Sequence, residues 1–308
     1  ETDQYLTWEL ELADSGPAFN AFLNEEAPKF LERINARTVP VKDAYELSQE
    51  FYLYMFQGLH QSRVRRWLWK SDAVERYPDN SVSFFEYQKM SMYKDPAFPF
   101  ILPMARTMRI GDIYLGMDKI GHFFGFGRRY AKRYHDLMEA GVPAEEALQR
   151  TIKVSISTEG SLVGGLTDGI YAYGDLEANY QGFLFSKDLV EGENPVFNQD
   201  ETGDWVQERP MDIIPFFTPD FDESWNPCLF TRLRKKHVLP LIKENYCEKR
   251  SGEIITARFE RYKKYPRSVL MEAVHAHFQE KSGEGNLTEQ ELQSLDCLCA
   301  PDCNKEEE

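Results

Sequence analysis

Residues 158–182 read T-E-G-S-L-V-G-G-L-T-D-G-I-Y-A-Y-G-D-L-E-A-N-Y-Q-G, and no other segment of the chain combines so many backbone constraints with ionisable groups. A helical pattern runs from Ala144 to Ser157, with Pro143 suited to its first turn. That helix is expected to stop at Glu159-Gly160, because glycines at 160, 164, 165 and 169 disfavour helix and permit sharp reversals. A short hairpin or curled loop is expected through residue 174. Asp175 then fits as the cap of a second helix, D-L-E-A-N-Y-Q-G-F-L-F-S-K. The segment thus places one acid at a helix end and two more beyond a glycine-rich reversal.

Three carboxylates in this arrangement suit acid–base chemistry on a glycosidic bond. Glu159, packed among apolar groups, would hold its proton into the working pH range and protonate a leaving oxygen. Asp168 or Asp175 would act on water or on developing positive charge from across a groove. Tyr171 and Tyr173 alternate in strand-like register and so share a face suited to a saccharide. Asn179 lies one turn beyond Asp175, and His122 is a supporting candidate. Each also has a plainer alternative: Glu159 as an exposed helix end, Asp168 as a turn former, Asp175 as a cap, and the tyrosines and Asn179 as packing and loop-anchoring groups.

The spacing E159-G160-x7-D168-G169, followed by I-Y-A-Y-G, resembles the catalytic helix-to-hairpin passage of the lysozyme superfamily, most closely its phage-type branch. By that resemblance Glu159 is the general acid and Asp168 the assisting residue. The chain lacks the family's Thr after Asp168 and its G-x-G-H continuation. The implied fold is mainly α: a lysozyme-like helical body with a small β-hairpin and an irregular C-terminal extension. The implied activity is hydrolysis of a β-1,4-linked amino-sugar polymer such as peptidoglycan, including its de-N-acetylated form, with no cofactor.

A second phrase, Asp118-Lys119-x-x-His122, followed by a Glu and by Asp175-x-x-Ala178-Asn179-x-x-Gly182, resembles a group of poorly characterised bacterial envelope lipoproteins with a D-K-x-x-H motif. Asp118 is suited to cap the helix that follows, and His122 lies one turn further on the same face. Were Asp118, His122, Glu159 and Asp175 to converge, their nitrogen and oxygen donors could hold a divalent metal. The alternatives to an enzyme are therefore a non-catalytic envelope protein that binds a protein or glycan, or a divalent-metal-binding protein.

The rest of the chain limits these readings. No H-E-x-x-H, Walker or dinucleotide fingerprint, or serine elbow is present. A formal net charge of -15 argues against an extended nucleic-acid surface and would attract a cationic polymer. Residues 19–34 and 44–69 carry helical apolar spacing. Within the latter, S-R-V-R-R-W-L-W-K at 62–70 reads as a helix with a packed apolar face and solvated arginines; its Trp pair is also a candidate sugar platform. Residues 71–110 read as irregular, and helical spacing returns over 228–246 and 252–280. One mainly helical catalytic unit is thus expected over 1–280, with a loop-rich insertion at 186–226 and an acidic cysteine-containing tail at 281–308. Of the five cysteines, Cys228 and Cys247 bracket a helical stretch, while Cys297, Cys299 and Cys303 crowd the tail. In an oxidising compartment two disulfides and one free thiol are expected. No apolar run is long enough to span a bilayer. The first residue is Glu1 rather than Met, as expected after signal-peptide removal and equally after trimming. A periplasmic, secreted or outer-envelope location, with peripheral envelope association, accords with these readings.

Overall fold

The computed structural model describes residues 1–41, 43–58, 62–95, 104–159, 169–283 and 299. The fold is mainly helical with small antiparallel β elements, as composition and spacing imply. Helix α1 (Gly16–Asn35) buries Phe19, Leu23, Phe30 and Ile34 on one face, which matches the spacing expected over 19–34. The helical run expected over 44–69 is instead two helices, α2 (Ala44–Met55) and α3 (Arg63–Lys70). Asp43 and Ser62 supply their caps by accepting from Glu46 N and Arg65 N. Apolar periodicity continues through this break, so the caps locate it better than the pattern does.

Residues 71–110 contain more order than their turn residues suggest. Helix α4 (Phe84–Met90) starts with a Ser83–Glu86 capping box, and β1 (Thr107–Ile110) pairs with β2 (Ile113–Gly116) around Gly111, whose φ is 58°. Strand β2 runs straight into α5 (Met117–Glu139). The N-cap of α5 is Gly116, not Asp118, which stands in the first turn. A Cβ on Gly116 would lie 2.2 Å from Asp118 Oδ1 and 2.0 Å from Thr2 Oγ1, so only glycine leaves this carboxylate its room.

Helix α6 (Ala144–Thr158) ends as expected, with Glu159 as its C-cap residue, while Pro143 is its N-cap rather than part of its first turn. Asp168 and the rest of 160–168 lie outside the described residues. Among the described residues strand β3 (Ile170–Tyr171) pairs with β6 (Leu229–Phe230), far along the chain; the hairpin or curled loop expected up to residue 174 falls mostly outside them. Helix α7 (Tyr173–Val190) begins two residues before Asp175, with Ala172 as N-cap. Asp175 is therefore a first-turn acid and not the cap.

Helices α5 and α7 form the centre of the molecule. A Cβ on Gly127 would lie 2.8 Å from the Gly182 carbonyl carbon, and one on Gly182 only 2.0 Å from Phe123 O. Glycine at both positions lets the two backbones touch. Because Lys119 meets Asp175 and Phe123 meets Gly182, the helices run parallel with their N-termini side by side.

The stretch 186–226 is less loop-like than expected. It contains the end of α7 and the hairpin of β4 (Phe197–Gln199) with β5 (Trp205–Gln207), then two 3-10 turns at Ile214–Phe216 and Pro219–Phe221. Helices α8 (Arg232–Asn245), α9 (Glu253–Tyr262) and α10 (Val269–Gly283) follow, with a break at residues 263–268 around Pro266. Cys247 is bonded to Cys299, and Cys228 is a buried free thiol; Cys297 and Cys303 lie outside the described residues. Among the described residues no helix is long and apolar enough to cross a membrane.

Candidate functional site

Two parallel helix N-termini, each with a carboxylate in its first turn, define the site. The partial positive charge at a helix start favours an anion there, so Asp118 on α5 and Asp175 on α7 are placed where the backbone supports them. Between them lies Lys119, with its side chain 0% exposed. Its Nζ is 3.0 Å from Asp118 Oδ2, 2.7 Å from Asp175 Oδ1 and 2.5 Å from Glu223 Oε1. An ammonium withdrawn from water is tolerated only when such partners replace the lost hydration. Burial opposes the charged form of Lys119, but Asp118, Asp175 and Glu223 outweigh it and raise its pKa well above the usual lysine range. Gly174 makes this approach possible, since a Cβ there would sit 3.1 Å from Lys119 Cε.

Glu223 reaches the lysine from the turn after Pro219–Phe221. Asp222 holds that turn: its Oδ1 accepts from Ser224 N at 2.9 Å, and its Oδ2 accepts from the Tyr262 hydroxyl at 3.0 Å. Gln4 braces it from the other side, accepting from Glu223 N at 2.9 Å and donating to Phe221 O at 3.1 Å. Glu223 Oε2 is buried without a hydrogen-bond partner among the described residues. Burial pushes the Glu223 carboxyl up to about 8 even though Lys119 opposes the shift. Asp118 shows the opposite balance: burial would raise it, but the Lys119 ammonium holds it far below the usual carboxylate range. Lys119 is shared among three acids, Asp118 is also 3.2 Å from the Glu1 amino nitrogen, and Asp118 and Glu223 fare unequally.

The candidates read from sequence gather at the same place. His122 Nε2 is 3.3 Å from Asp175 Oδ2, its Nδ1 is 3.3 Å from Asn179 Oδ1, and its ring stacks on Phe126. Ring and carboxylate come from successive turns of two helices in register. Glu159 is buried at the end of α6, where its Oε1 accepts from Ala172 N at 3.4 Å, tying that helix to the start of α7. Burial, then the charges of Asp175 and Glu1, push Glu159 up to about 9. Tyr171 and Tyr173 are buried with rings 5.6 Å apart, and both pack edge-on against Phe278.

The compact group of metal-type donors among the described residues is not the expected set. Asp118 and Asp175 are engaged with Lys119, and Asp175 also with His122. Instead, one carboxylate oxygen each of Glu1 and Glu223 and the sulfur of Cys228 lie within 4.8 Å of one another. Burial, with Glu223 and Glu1 close by, raises the Cys228 thiol well above its usual range. Sequence reasoning missed Lys119, Glu223, Cys228 and Glu1. The available signals were the lysine inside D-K-x-x-H and the acid five residues before Cys228 in E-S-W-N-P-C. Comparisons with protein-family models, with curated proteins and with solved structures return no match to this chain.

Proposed function

We propose that this chain is a divalent-metal-binding protein, with Glu1, Glu223 and Cys228 as its ligands. The observation that carries the reading is the approach of two carboxylate oxygens and a sulfur to within 4.8 Å of one another, with Glu223 and Cys228 buried and Glu1 partly buried. Magnesium and calcium favour oxygen-only surroundings, whereas a thiolate beside carboxylates suits zinc. Three protein donors leave one position of a tetrahedral zinc for water or a neighbouring carboxylate. Glu223 and Cys228 are 2% exposed each, which favours a structural ion over one that meets substrate. Such an ion would fasten the N-terminal segment, the 222–226 turn and β6 together. The Cys247–Cys299 disulfide supports an oxidising location such as the periplasm or cell envelope.

Zinc titration of the metal-free, full-length protein tests the reading. The expected result is one zinc per chain by mass spectrometry of metals, a raised melting temperature, and no comparable response to magnesium. Cys228→Ser should weaken zinc at least about tenfold, the lower end of what loss of even an indirect zinc partner does. A wild-type chain with its thiol reduced that takes up no zinc, or a variant that binds equally well, would sink the proposal.

One observation favours the second reading, an amino-sugar hydrolase of lysozyme-like arrangement acting on envelope peptidoglycan. Glu159 is an acid that keeps its proton to about 9, and the charge of Asp175 contributes to that shift. Release of reducing ends from acetylated and de-N-acetylated peptidoglycan, abolished in Glu159→Gln, is the expected result. Absence of cleavage by folded wild type on both polymers removes this reading and leaves the metal site untouched.

A further inference from the structure

The geometry points to a peripheral membrane-binding face, formed by α3 and the start of α4, that rests on an anionic phospholipid bilayer. Helix α3 turns Val64 and Leu68 inward, and Trp67 stacks on Phe22 with ring centroids 4.7 Å apart. That packing fixes the rotation of the helix. Arg65, Arg66, Trp69 and Lys70 then face outward, with Trp69 49% exposed. No acid interrupts α3.

The neighbouring loop adds apolar surface to the cations. Arg106 lies 5.0 Å from the Trp69 ring centroid, and its guanidinium donates to Pro78 O at 2.5 Å and Val82 O at 2.8 Å. Asn80 donates to Trp69 O at 3.1 Å. These contacts hold the segment leading into α4 beside the end of α3, and Phe85 in the first turn of α4 is 61% exposed. Exposed large apolar groups on one edge, next to arginines and lysines, are what an interfacial segment presents to headgroups and acyl chains. Three of the acids nearby accept backbone hydrogen bonds, Glu75 from Ala13 N, Asp79 from Ser81 N at 2.7 Å and Glu86 from Ser83 N at 2.8 Å, while Asp72 is exposed just past α3; α3 itself carries four Lys/Arg and no acid.

Charge decides the occupant. In a chain of formal net charge -15, residues 63–94 carry seven Lys/Arg and four Asp/Glu, a local excess of three positive charges. An anionic bilayer complements that local sign, whereas a zwitterionic one offers the aromatic groups alone. The face is distinct from the Lys119 chamber, and this inference does not rest on the metal reading.

Co-sedimentation of the full-length protein with vesicles of phosphatidylglycerol and phosphatidylethanolamine, against pure phosphatidylcholine vesicles, tests it. The expected result is binding to the anionic vesicles that falls as salt rises, with little binding to the neutral ones. Phe85→Ser and the pair Arg65→Glu, Arg66→Glu change exposed side chains, and each should weaken binding by at least about tenfold. Trp69→Phe, which keeps a ring for Arg106, should retain most of it. Equal binding to both vesicle types, or retention by the charge-reversed pair with an unchanged melting temperature, overturns the inference. So does a concentration-dependent dimer that these variants abolish without vesicle binding, because the face would then be covered by a second copy of the chain.

Discussion

Replacing Lys119 by Met keeps most of the side-chain volume and removes the ammonium that faces Asp118, Asp175 and Glu223 at 3.0, 2.7 and 2.5 Å. Removing one partner of a buried ion pair costs about 3–5 kcal/mol, because the remaining charge stays buried without compensation. The variant can escape that cost by protonating a stranded carboxylate. For an Asp whose unfolded pKa is about 3.9, protonation costs about 5–6 kcal/mol at pH 8 but only about 1.5 kcal/mol at pH 5. The sign follows from Asp118, whose folded pKa lies below the unfolded value through its pairing with Lys119 first and with the Glu1 amino group second. In the wild type its stabilisation is complete above about pH 4 and is lost only in stronger acid, as pH falls through the folded value. The penalty in Lys119→Met should therefore be about 3–5 kcal/mol at pH 8 and smaller by about 2 kcal/mol or more at pH 5. Urea denaturation of both proteins at the two pH values, with chelator present, measures the difference. A penalty below about 1 kcal/mol at pH 8, or one of equal size at both pH values, would refute the claim that Lys119 neutralises a buried acidic cluster.

Two further predictions concern the frame around the site. Gly182→Ala places a Cβ 2.0 Å from Phe123 O, a backbone atom that cannot turn aside, so α5 and α7 must separate. The expected loss is about 3 kcal/mol or more by chemical denaturation, and a variant of wild-type stability would show that the helices do not touch there. Glu177 is fully buried, accepting from Ser268 at 2.6 Å, Gln181 at 2.8 Å and Thr218 at 3.0 Å, and burial pushes it up to about 7. A raised carboxyl contributes stability that is complete below its unfolded pKa of about 4.3 and is lost as pH rises through the folded value. Burial raises Asp3 to about 7 and Asp220 to about 6 in the same direction, so the wild type should be less stable at pH 8 than at pH 5. Glu177→Gln should remove about 2–3 kcal/mol of that slope, and an unchanged profile in the variant would rule Glu177 out as its source.

Helices were legible where the apolar stripe is continuous. Residues 19–34 carry that stripe, and α1 follows them closely even though Pro28 lies inside it. The helical spacing over 144–157 matches α6, Ala144–Thr158, with Glu159 as its C-cap residue; the glycines after it lie outside the described residues. The reading failed where local pattern ran through a break, as between α2 and α3, or where pairing is remote. Strand β3 is two residues long and is stabilised by β6, nearly sixty positions away, so nothing beside Ile170 announces its partner. The caps of α5 and α7 were misplaced for another reason. Gly116 and Ala172 take the cap positions without any side-chain cap bond, leaving Asp118 and Asp175 to face the site from the first turn. An acid two or three residues inside a helix serves the helix start through charge rather than through a cap bond.

Most of the site follows from one geometric consequence of the glycines at 127 and 182. Contact between α5 and α7 at those positions aligns D-K-x-x-H on one helix with D-x-x-x-N on the other, so two short phrases far apart in sequence become one face. Lys119 then divides the surrounding groups. Asp118 and Asp175 belong to the ammonium, Glu1 and Cys228 to the compact donor group, and Glu223 to both. That division determines which variant discriminates. Glu223→Gln would disturb the lysine and the metal ligands at once, so loss of zinc in that variant has two causes. Asp175→Asn alters the ammonium and His122 contacts while leaving the three metal-type donors chemically intact. Cys228→Ser alters a metal donor without touching any partner of Lys119. If zinc binds there, Cys228→Ser must lose it, and Asp175→Asn must keep it.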